Sequence, residues 1–371
     1  MARTTELERL DIGRWGDHTI DPGERRDIDL LVSESYSGLS VTIPVHIWRA
    51  PEPGPAVFIT AAVHGDEING AGAIRQIILE PPFQLTAGAL ILAPVINILG
   101  FDQHIRYLPD RRDLNRCFPG SPTGSMAARL ASVVFRQIVG RSDYGIDLHT
   151  AAVRRTNFPN VRADMSRDDV AALARAFGSE LIVSGKGPKG ALRQAACAAG
   201  VPTIILEAGE VWKVEPAVVE YALQGVRNTL IGLGMAPGKP VKPAYQTVVD
   251  RTRWIRADRG GFLHFHVAPG DLVEQDQPIA TNTSLLGAEQ NVLTRPHTGV
   301  VLGMTTLPSV APGDPVCHIA IPREGTDAIR KAHRRVKDDS LHERLRDDLA
   351  TNIVVTEWEG DGEEASERVS E

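Results

Sequence analysis

Residues 57–63 form an unbroken apolar run that leads directly into the polar sequence His64-Gly65-Asp66-Glu67. Such a run is typical of a buried parallel strand, and polar residues after it are typical of a loop. Asn69 is a residue type favoured at helix starts, and apolar residues at helical spacing follow it. The pattern predicts a strand, a tight turn and a helix, with His64 and Glu67 at the junction.

Three later apolar runs also end in polar residues, at Asn97, His149 and Glu207. Segments with helical spacing separate these runs, and alternating strands and helices predict an α/β fold. We expect a mostly parallel sheet with helices on both faces. The carboxyl ends of parallel strands lie at one edge of such a sheet, where ligands bind. His64 and the three later strand-end residues are therefore expected to lie close together.

His64, Glu67 and His149 are residue types that bind zinc in catalytic sites, which use three protein ligands and one open position. Each residue alone has an ordinary structural explanation, as a loop residue, a helix cap or a buried histidine. A close pair and a distant third ligand is nevertheless an economical metal site for a parallel sheet. Together the three residues predict one zinc ion per chain, with Asp147 structural or in contact with a ligand.

Glu207 follows a buried strand, and a carboxylate there can take a proton from an activated water and pass it to a leaving amine. Glu210, farther into the loop, is the alternative for this role. The loop at residues 106–120 is rich in arginine and contains Asn115 and Arg116. Guanidinium groups bind carboxylates and stabilise negative charge that develops on a carbonyl. These residues predict a small anionic substrate.

Composition narrows the class of protein further. The formal net charge of −7 and the absence of a long basic run argue against nucleic acid as a partner. No apolar run is long enough to span a bilayer, and residues 1–9 lack the apolar core of a signal peptide. Three cysteines lie far apart, and an odd count suits a reducing compartment. We expect a cytoplasmic protein with no nucleic-acid or membrane partner.

The chain divides by composition into four parts. Residues 1–36 are predicted to be an N-terminal arm, and residues 37–237 to be the α/β domain. After a Pro/Lys linker, residues 244–322 have short β-like segments and two Pro-Gly-Asp repeats. This β-rich part resembles the biotinyl/lipoyl barrel-sandwich in fold, but it lacks the lysine that such carriers modify. Residues 323–371 are predicted to be a charged helix and an acidic, disordered tail.

Four short motifs, taken together and in order, resemble those of the succinylglutamate desuccinylase/aspartoacylase family, which has a zinc carboxypeptidase-like fold. The motifs are His64-Gly65-Asp66-Glu67, Asp113-Leu114-Asn115-Arg116, Asp147-Leu148-His149 and Glu207-Ala208-Gly209. The resemblance covers residues 40–235, and the β-rich part more loosely. It implies that the three metal-ligand candidates bind zinc and that Glu207 acts as general base and then as general acid.

The resemblance also implies roles for the arginine loop. Asn115 and Arg116 are expected to hold a substrate carboxylate, and an upstream arginine to polarise the scissile carbonyl. Arg106, Arg111 and Arg112 are the candidates for that arginine. Arg112, next to the Asp113 motif, is preferred, and Arg106 is assigned to substrate binding.

The predicted function is a zinc-dependent hydrolase, a deacylase that cleaves the amide or ester bond of a small N-acylated amino acid or related compound. A zinc carboxypeptidase acting on short peptides is the first alternative. The second is an NAD-binding oxidoreductase, because Gly185, Gly187 and Gly190 match G-x-G-x-x-G after a predicted strand. Pro188 would restrict that turn, which argues against nucleotide binding. The acyl group and the oligomeric state stay open, and a homo-oligomer is compatible with the sequence.

Overall fold

The computed structural model of the protein describes residues 7–34, 38–295, 297–334, 340–350 and 355. The strands in these residues are β1 (Arg14–Trp15), β2 (His18–Thr19), β3 (Arg25–Glu34), β4 (Ser40–Arg49), β5 (Glu52–Ala61), β6 (Ala87–Ala93), β7 (Tyr144–His149), β8 (Arg155–Ala163), β9 (Leu181–Ser184), β10 (Thr203–Gly209), β11 (Thr247–Arg256), β12 (Gly261–Phe265), β13 (Leu272–Val273), β14 (Pro278–Thr283), β15 (Glu289–Thr294), β16 (Gly299–Thr305), β17 (Ser309–Val310) and β18 (Pro315–Pro322). The α-helices are α1 (Asn69–Leu79), α2 (Ile98–Phe101), α3 (Met126–Gln137), α4 (Asp168–Phe177), α5 (Leu192–Ala198), α6 (Pro216–Gly232), α7 (Asp327–His333) and α8 (Leu341–Ala350).

Most strands join one twelve-stranded sheet in the order β13-β16-β18-β11-β9-β8-β10-β7-β5-β6-β4-β3. Its centre, from β6 to β10, is parallel as predicted, but antiparallel pairs flank it on both sides. The sheet is therefore mixed. Parallel strands need a crossover of about a dozen residues or more. Only residues 150–154 separate β7 from β8, so β8 runs back antiparallel to β10 instead.

Helices cover both faces of the sheet, and side chains of β5 show why. Val57 and Ile59 point to one face, where α1, α4, α6 and α8 pack, while Phe58 points to the other, where α3 and α5 pack. Successive side chains of a strand point to opposite faces, so the side chains of an unbroken apolar run pack into the cores on both faces of the sheet. The predicted alternation of strands and helices is confirmed here, for example by α4 before β9 and by α6 after β10.

The N-terminal part differs from the predicted arm. Residues 25–34 form β3, which pairs with β4 along the edge of the large sheet. Ile28 and Leu30 are buried while Asp27 and Asp29 are exposed. This alternation is the pattern of a half-buried edge strand, and the polar composition of the segment obscured it.

The β-rich part, residues 244–322, divides its strands between two sheets. Strands β11, β13, β16 and β18 extend the large sheet, while β12, β14, β15 and β17 form a four-stranded sheet. A third apolar core lies between them and includes Phe265 and Ile319. Pairing of β11 with β9 and of β16 with β8 makes this part continuous with the α/β sheet. The resemblance to a barrel-sandwich stays a prediction.

The charged helix predicted within residues 323–371 corresponds to α7 and α8, with residues 335–339 outside the described chain. The predicted acidic tail also lies outside the described residues. Helix α8 packs on α6 and on β8, the strand beside the predicted catalytic Glu207. Within the described part of the chain, no helix is both long enough and apolar enough to cross a membrane.

Candidate metal centre and active-site cavity

The side chains of His64, Glu67 and His149 converge at one point. Each offers a ligand atom within 4.8 Å of the other two, and all three residues are buried. Glu67 Oε1 lies 2.6 Å from His64 Nδ1, and Glu67 Oε2 lies 2.9 Å from His149 Nδ1. Among the described residues, this group is the one set of His, Cys, Asp and Glu side chains placed to hold a metal ion.

Local backbone structure brings these residues together. Strand β5 ends at Ala61, and Ala62 adopts a φ of 47°, a left-handed conformation that turns the chain sharply before His64. The Glu67 amide then donates to the His64 carbonyl at 3.1 Å, and α1 begins two residues later. His149 is the last residue of β7, which lies next to β5 and parallel to it. Neighbouring parallel strands therefore deliver both imidazoles to the same edge.

Electrostatics make this group attractive to positive charge. Burial by itself raises the pKa of Glu67, but His64 and His149 outweigh burial, and the pKa lies well below its usual range. Burial lowers the pKa of His149, but Asp147 and Glu67 raise it well above its ordinary value. An ionised carboxylate between two imidazoles that favour positive charge suits a divalent cation, which binds in exchange for protons.

Each candidate histidine ligand has a carboxylate on its second ring nitrogen. Asp147 Oδ2 lies 2.8 Å from His149 Nε2, and Thr60 Oγ1 donates to Asp147 Oδ1 at 2.8 Å. Asp113 Oδ1 lies 3.3 Å from His64 Nε2. Carboxylates in this position orient imidazole ligands and increase their basicity. The arrangement leaves the Nδ1 atom of each ring for a metal.

Asn97, the fourth strand-end residue, supports the centre through the backbone. Its Nδ2 donates to the carbonyls of Val63 and Arg106, both at 3.3 Å, and its Oδ1 accepts from the Gly100 amide at 3.0 Å. It therefore ties the residue before His64 to the arginine loop. This buried amide fixes backbone and is absent from the residues that line the cavity.

The arginine loop places Arg106 beside the metal-ligand group. Arg106 Nη1 lies 3.4 Å from Glu67 Oε1, and its Nη2 donates to Asp113 Oδ2 at 3.0 Å. Arg112 is placed differently: its side chain is 56% exposed and pairs with Asp110 at 3.1 Å. Arg111 is also exposed. Of the three arginines proposed to polarise the carbonyl, the structure brings only Arg106 to the cavity.

Asn115 and Arg116 also line the cavity, on a short 3₁₀ helix, Leu114–Arg116. The Leu192 amide donates to Asn115 Oδ1 at 2.8 Å, which fixes the side chain against the start of α5. Arg116 Nη1 donates to the Asn115 carbonyl at 2.7 Å. In this contact the Arg116 guanidinium uses one N–H donor on a backbone carbonyl. Its other N–H donors remain for a ligand.

Glu207 lies on β10 directly opposite His149 in the strand register and faces the cavity. Asn157 Nδ2 donates to Glu207 Oε2 at 3.2 Å, and Arg162 Nε lies 3.3 Å from Glu207 Oε1. The alternative, Glu210, instead accepts from Thr306 Oγ1 at 2.7 Å and is absent from the residues that line the cavity.

The cavity has a volume of about 370 Å³ and contains residues that the sequence pattern did not single out. They are Arg155, Asn157, Arg162, Arg193, Trp254 and His318. The first three lie on β8, a strand that the sequence analysis did not identify. The alternation of Arg155 and Asn157 with the buried Thr156 and Phe158 is the signal that indicates it.

The G-x-G-x-x-G segment forms part of the cavity wall. Gly187 and Pro188 line the cavity, and a Cβ on Gly190 would overlap the backbone of Arg116. The helix after this segment, α5, has only seven residues. The glycines therefore allow this wall to approach the arginine loop, which explains the motif without a nucleotide.

Fold and site together define an α/β protein with a His–Glu–His group that could hold a metal ion at the carboxyl edge of its sheet. The family model for the succinylglutamate desuccinylase/aspartoacylase catalytic domain matches residues 53–233. These residues are similar to the catalytic domain of that family, which confirms the resemblance predicted from the four motifs.

Individual proteins of known sequence or structure are also similar to this chain. An N-alpha-acetyl-L-2,4-diaminobutyric acid deacetylase from Halomonas elongata is 28% identical over 253 residues, or 65% of this chain and 74% of the relative. A solved succinylglutamate desuccinylase/aspartoacylase structure from Rhodobacter sphaeroides is 25% identical with a TM-score of 0.69, and the match covers 82% of this chain and 98% of that one. The product-bound ectoine utilization protein EutE (DoeB) from Ruegeria pomeroyi shares the fold at 22% identity and a TM-score of 0.69, over 80% of this chain and 94% of that one.

Proposed function

We propose that this protein is a zinc-dependent deacylase that hydrolyses the amide bond of a small N-acylated amino acid. One observation carries the proposal: the buried group of His64, Glu67 and His149 opens into the same cavity as Glu207 and Arg106. Two imidazoles and one carboxylate are a donor set of catalytic zinc sites. When bound, zinc lowers the pKa of water to about 7 and polarises a carbonyl oxygen.

Glu207 is the residue that moves the proton. Its carboxylate faces the cavity from the strand beside His149, where it can accept a proton from water and donate it to the leaving nitrogen. Asn157 and Arg162 each contact one of its oxygens, and these contacts hold the carboxylate in place. General acid–base catalysis of this kind contributes about 10²–10⁴-fold to a rate.

Arg106 is the better placed residue to stabilise negative charge on the substrate carbonyl. Its guanidinium lies beside Glu67 and is held by Asp113, whereas Arg112 points to solvent and pairs with Asp110. A fixed donor near the developing oxyanion needs no reorganisation during the reaction. The proposal therefore moves the carbonyl-polarising role from Arg112 to Arg106.

The substrate carboxylate is assigned to Asn115 and Arg116, with Arg193 as a further donor. Arg193 is 5% exposed and lines the cavity, and its Nη1 donates to the Gly185 carbonyl at 2.8 Å. Its buried Nε has no hydrogen-bond partner among the described residues. A buried guanidinium in this position favours a ligand that supplies a carboxylate.

The relatives support deacylation over the two alternatives. The Halomonas elongata relative is named as a deacetylase of an N-acetylated amino acid. Carboxypeptidase action on short peptides would use the same residues, so substrate tests must separate the two. An oxidoreductase reading leaves the metal-ligand group without a role, and residues 185–190 already have one as cavity wall.

The test combines metal analysis with hydrolysis assays on N-acyl amino acids and dipeptides. We expect one zinc ion per chain and faster release of amine from the N-acyl amino acids. Glu207→Gln is expected to keep zinc and lose at least about 100-fold in turnover, whereas His149→Ala loses both zinc and turnover. Glu289→Gln, an exposed carboxylate on β15, is the matched control. Wild-type turnover in Glu207→Gln contradicts the proposed role, and faster cleavage of dipeptides favours the carboxypeptidase.

A further inference from the structure

The loop that follows β10 is bonded to the turn that follows β5. The Trp212 amide donates to the Asp66 carbonyl at 2.9 Å, and Asn69 Nδ2 donates to the Glu210 carbonyl at 3.3 Å. Asp66 directly precedes the candidate metal ligand Glu67. These bonds therefore connect the turn that carries a candidate metal ligand with the strand that carries the proposed proton carrier.

Asn69 and Glu215 are at the centre of this connection. Asn69 Nδ2 donates to Glu215 Oε2 at 2.7 Å, and the Glu215 amide donates to Asn69 Oδ1 at 2.7 Å. The Glu210 amide also donates to Glu215 Oε2, at 2.9 Å. Asn69 is 2% exposed and Glu215 is 9% exposed, so these bonds lie in a region of low dielectric, where they are stronger than in water. The pair joins the first residue of α1 to the residue before α6.

Gly209, the last residue of β10, packs against this pair. Its φ is 74°, and a Cβ on it would overlap Glu215 Oε2 and Asn69 Nδ2. Its carbonyl accepts from the amide of Ala151, two residues after His149, at 3.1 Å. The end of β10 is therefore fixed against the segments that carry the candidate metal ligands.

Neither Asn69 nor Glu215 is among the described residues that line the cavity, so neither is placed to touch a substrate. We propose that they are positioning residues that set the distance between the candidate metal ligands and the Glu207 carboxylate. This inference rests on the proposed function and adds two residues that act through Glu67 and Glu207. Displacement of a reacting group by about 1 Å costs about 100-fold in rate, so a small relaxation of these segments is enough to be measured.

Asn228 on α6 offers a matched control far from the cavity. It is 1% exposed, its Nδ2 donates to the carbonyls of Phe177 and Val241 at 3.2 and 2.8 Å, and its Oδ1 accepts from the Val241 amide at 2.8 Å. Its bonds resemble those of Asn69 in number and burial, but they connect no segment of the candidate site. Asn228→Ala therefore measures what the loss of a buried asparagine does by itself.

Kinetics at saturating zinc test the proposal. Asn69→Ala and Glu215→Ala are expected to lower kcat about 10–100-fold while KM stays within about threefold, because the residues assigned to the substrate carboxylate keep their places. Glu215→Gln retains an oxygen that can accept both hydrogen bonds, so its kcat should stay within about threefold of wild type. Asn228→Ala is expected to lower the free energy of unfolding and to leave kcat within about twofold.

Two further variants support the assignment. Asn69→Ala and Glu215→Ala combined should lose no more kcat than the slower single variant, because the two side chains act as one unit. If either alanine variant does not fold, Glu215→Asp carries the same test, since it withdraws the carboxylate by one methylene and keeps its charge. Its kcat is expected to lie between those of Glu215→Gln and Glu215→Ala.

A measurement without substrate tests the position of Glu67 separately from turnover. The visible absorption of bound Co²⁺ depends on the geometry of its ligands. With Co²⁺ in place of zinc, Asn69→Ala and Glu215→Ala are expected to shift this spectrum relative to wild type. Glu215→Gln and Asn228→Ala are expected to leave it unchanged.

The outcomes separate this inference from the proposed function. If wild type hydrolyses no substrate but the Co²⁺ spectrum shifts in the two alanine variants of the pair, the proposed function fails and the placement of the Glu67 turn by the pair stands. An unchanged spectrum in that case overturns the positioning role. If wild type is active, it is overturned when Asn69→Ala and Glu215→Ala match Asn228→Ala in kcat, or when Glu215→Gln is as slow as Glu215→Ala.

Discussion

The Asp113 carboxylate lies between Arg106 and His64 and contacts both. Its Oδ2 accepts from Arg106 Nη2 at 3.0 Å, and its Oδ1 lies 3.3 Å from His64 Nε2. Burial raises the pKa of Asp113, but His64 and Arg106 lower it well below its usual range, so this carboxylate is ionised. One side chain thereby orients a candidate metal ligand and the arginine proposed to polarise the carbonyl.

We therefore expect Asp113→Asn to impair metal binding and turnover together. The amide keeps the size of the side chain but removes the charge that holds both partners. Loss of a carboxylate behind a metal ligand costs about 10–100-fold in metal affinity or activity. Competition with a chromophoric chelator measures zinc affinity, and kcat at saturating zinc measures the effect through Arg106. An unchanged kcat at saturating zinc would show that Asp113 acts on His64 alone.

Asp147 gives a contrasting prediction, because it contacts a ligand but no arginine of the cavity. It is fully buried, lies 2.8 Å from His149 Nε2 and accepts from Thr60. Asp147→Asn is expected to weaken zinc binding by about 10–100-fold and to recover most of its turnover when zinc is saturating. Thr60→Val removes one hydroxyl donor to this carboxylate and leaves the carboxylate in place, so it should cost less zinc affinity than Asp147→Asn. A larger loss of zinc affinity in Thr60→Val than in Asp147→Asn contradicts this assignment.

Gly65 sits inside the turn that joins the first two candidate ligands. A Cβ on this residue would overlap the backbone of Gly100 and Phe101. Since backbone cannot rotate away, Gly65→Ala must displace the turn, and we expect a loss of zinc binding and about 1–3 kcal/mol of unfolding free energy. Gly260→Ala is the control, because its nearest atom would be 3.4 Å away. Zinc affinity and urea denaturation test both variants, and normal zinc binding by Gly65→Ala counts against the assigned geometry.

The contacts of His342, which lies outside the candidate site, predict that the stability of the protein depends on pH. On α8 its Nδ1 lies 2.9 Å from Glu180 Oε2, and its ring meets those of Phe158 and His333 edge-on. Burial lowers the pKa of His342, but Glu180 raises it more, so the folded pKa lies above the ordinary value of about 6.5. A raised folded pKa contributes stability that is fully present below the unfolded pKa and is lost as pH rises through the folded one.

His342→Gln should therefore destabilise the protein more at pH 5 than at pH 9. His333 has the opposite sign, since burial and His342 lower its pKa, so the wild-type curve alone does not isolate one histidine. Urea denaturation of wild type and variant at both pH values gives the difference directly. The exposed His18→Gln serves as control. An equal loss at both pH values means that His342 contributes packing and no charge.

The sequence was most informative about the candidate site residues that lie in segments with a short-range pattern. The run at residues 57–63, the turn to Glu67 and the strand that ends at His149 each have a short-range signature. Because parallel neighbours share one carboxyl edge, predicting the strands also predicted that His64 and His149 meet. The same logic placed Glu207 beside His149, where the register puts it.

The tertiary structure alone decided which arginine reaches the cavity and what closes its far wall. Arg106 and Arg112 lie in one charged loop, and only the positions of Asp113 and Glu67 distinguish them. Trp254 and His318 meet Arg155 because β8 returns antiparallel and the C-terminal strands extend the same sheet. Contacts between strands about a hundred residues apart depend on pairing partners that no local periodicity encodes. The sequence by itself therefore determined the three candidate metal ligands, and tertiary pairing determined the far wall of the cavity.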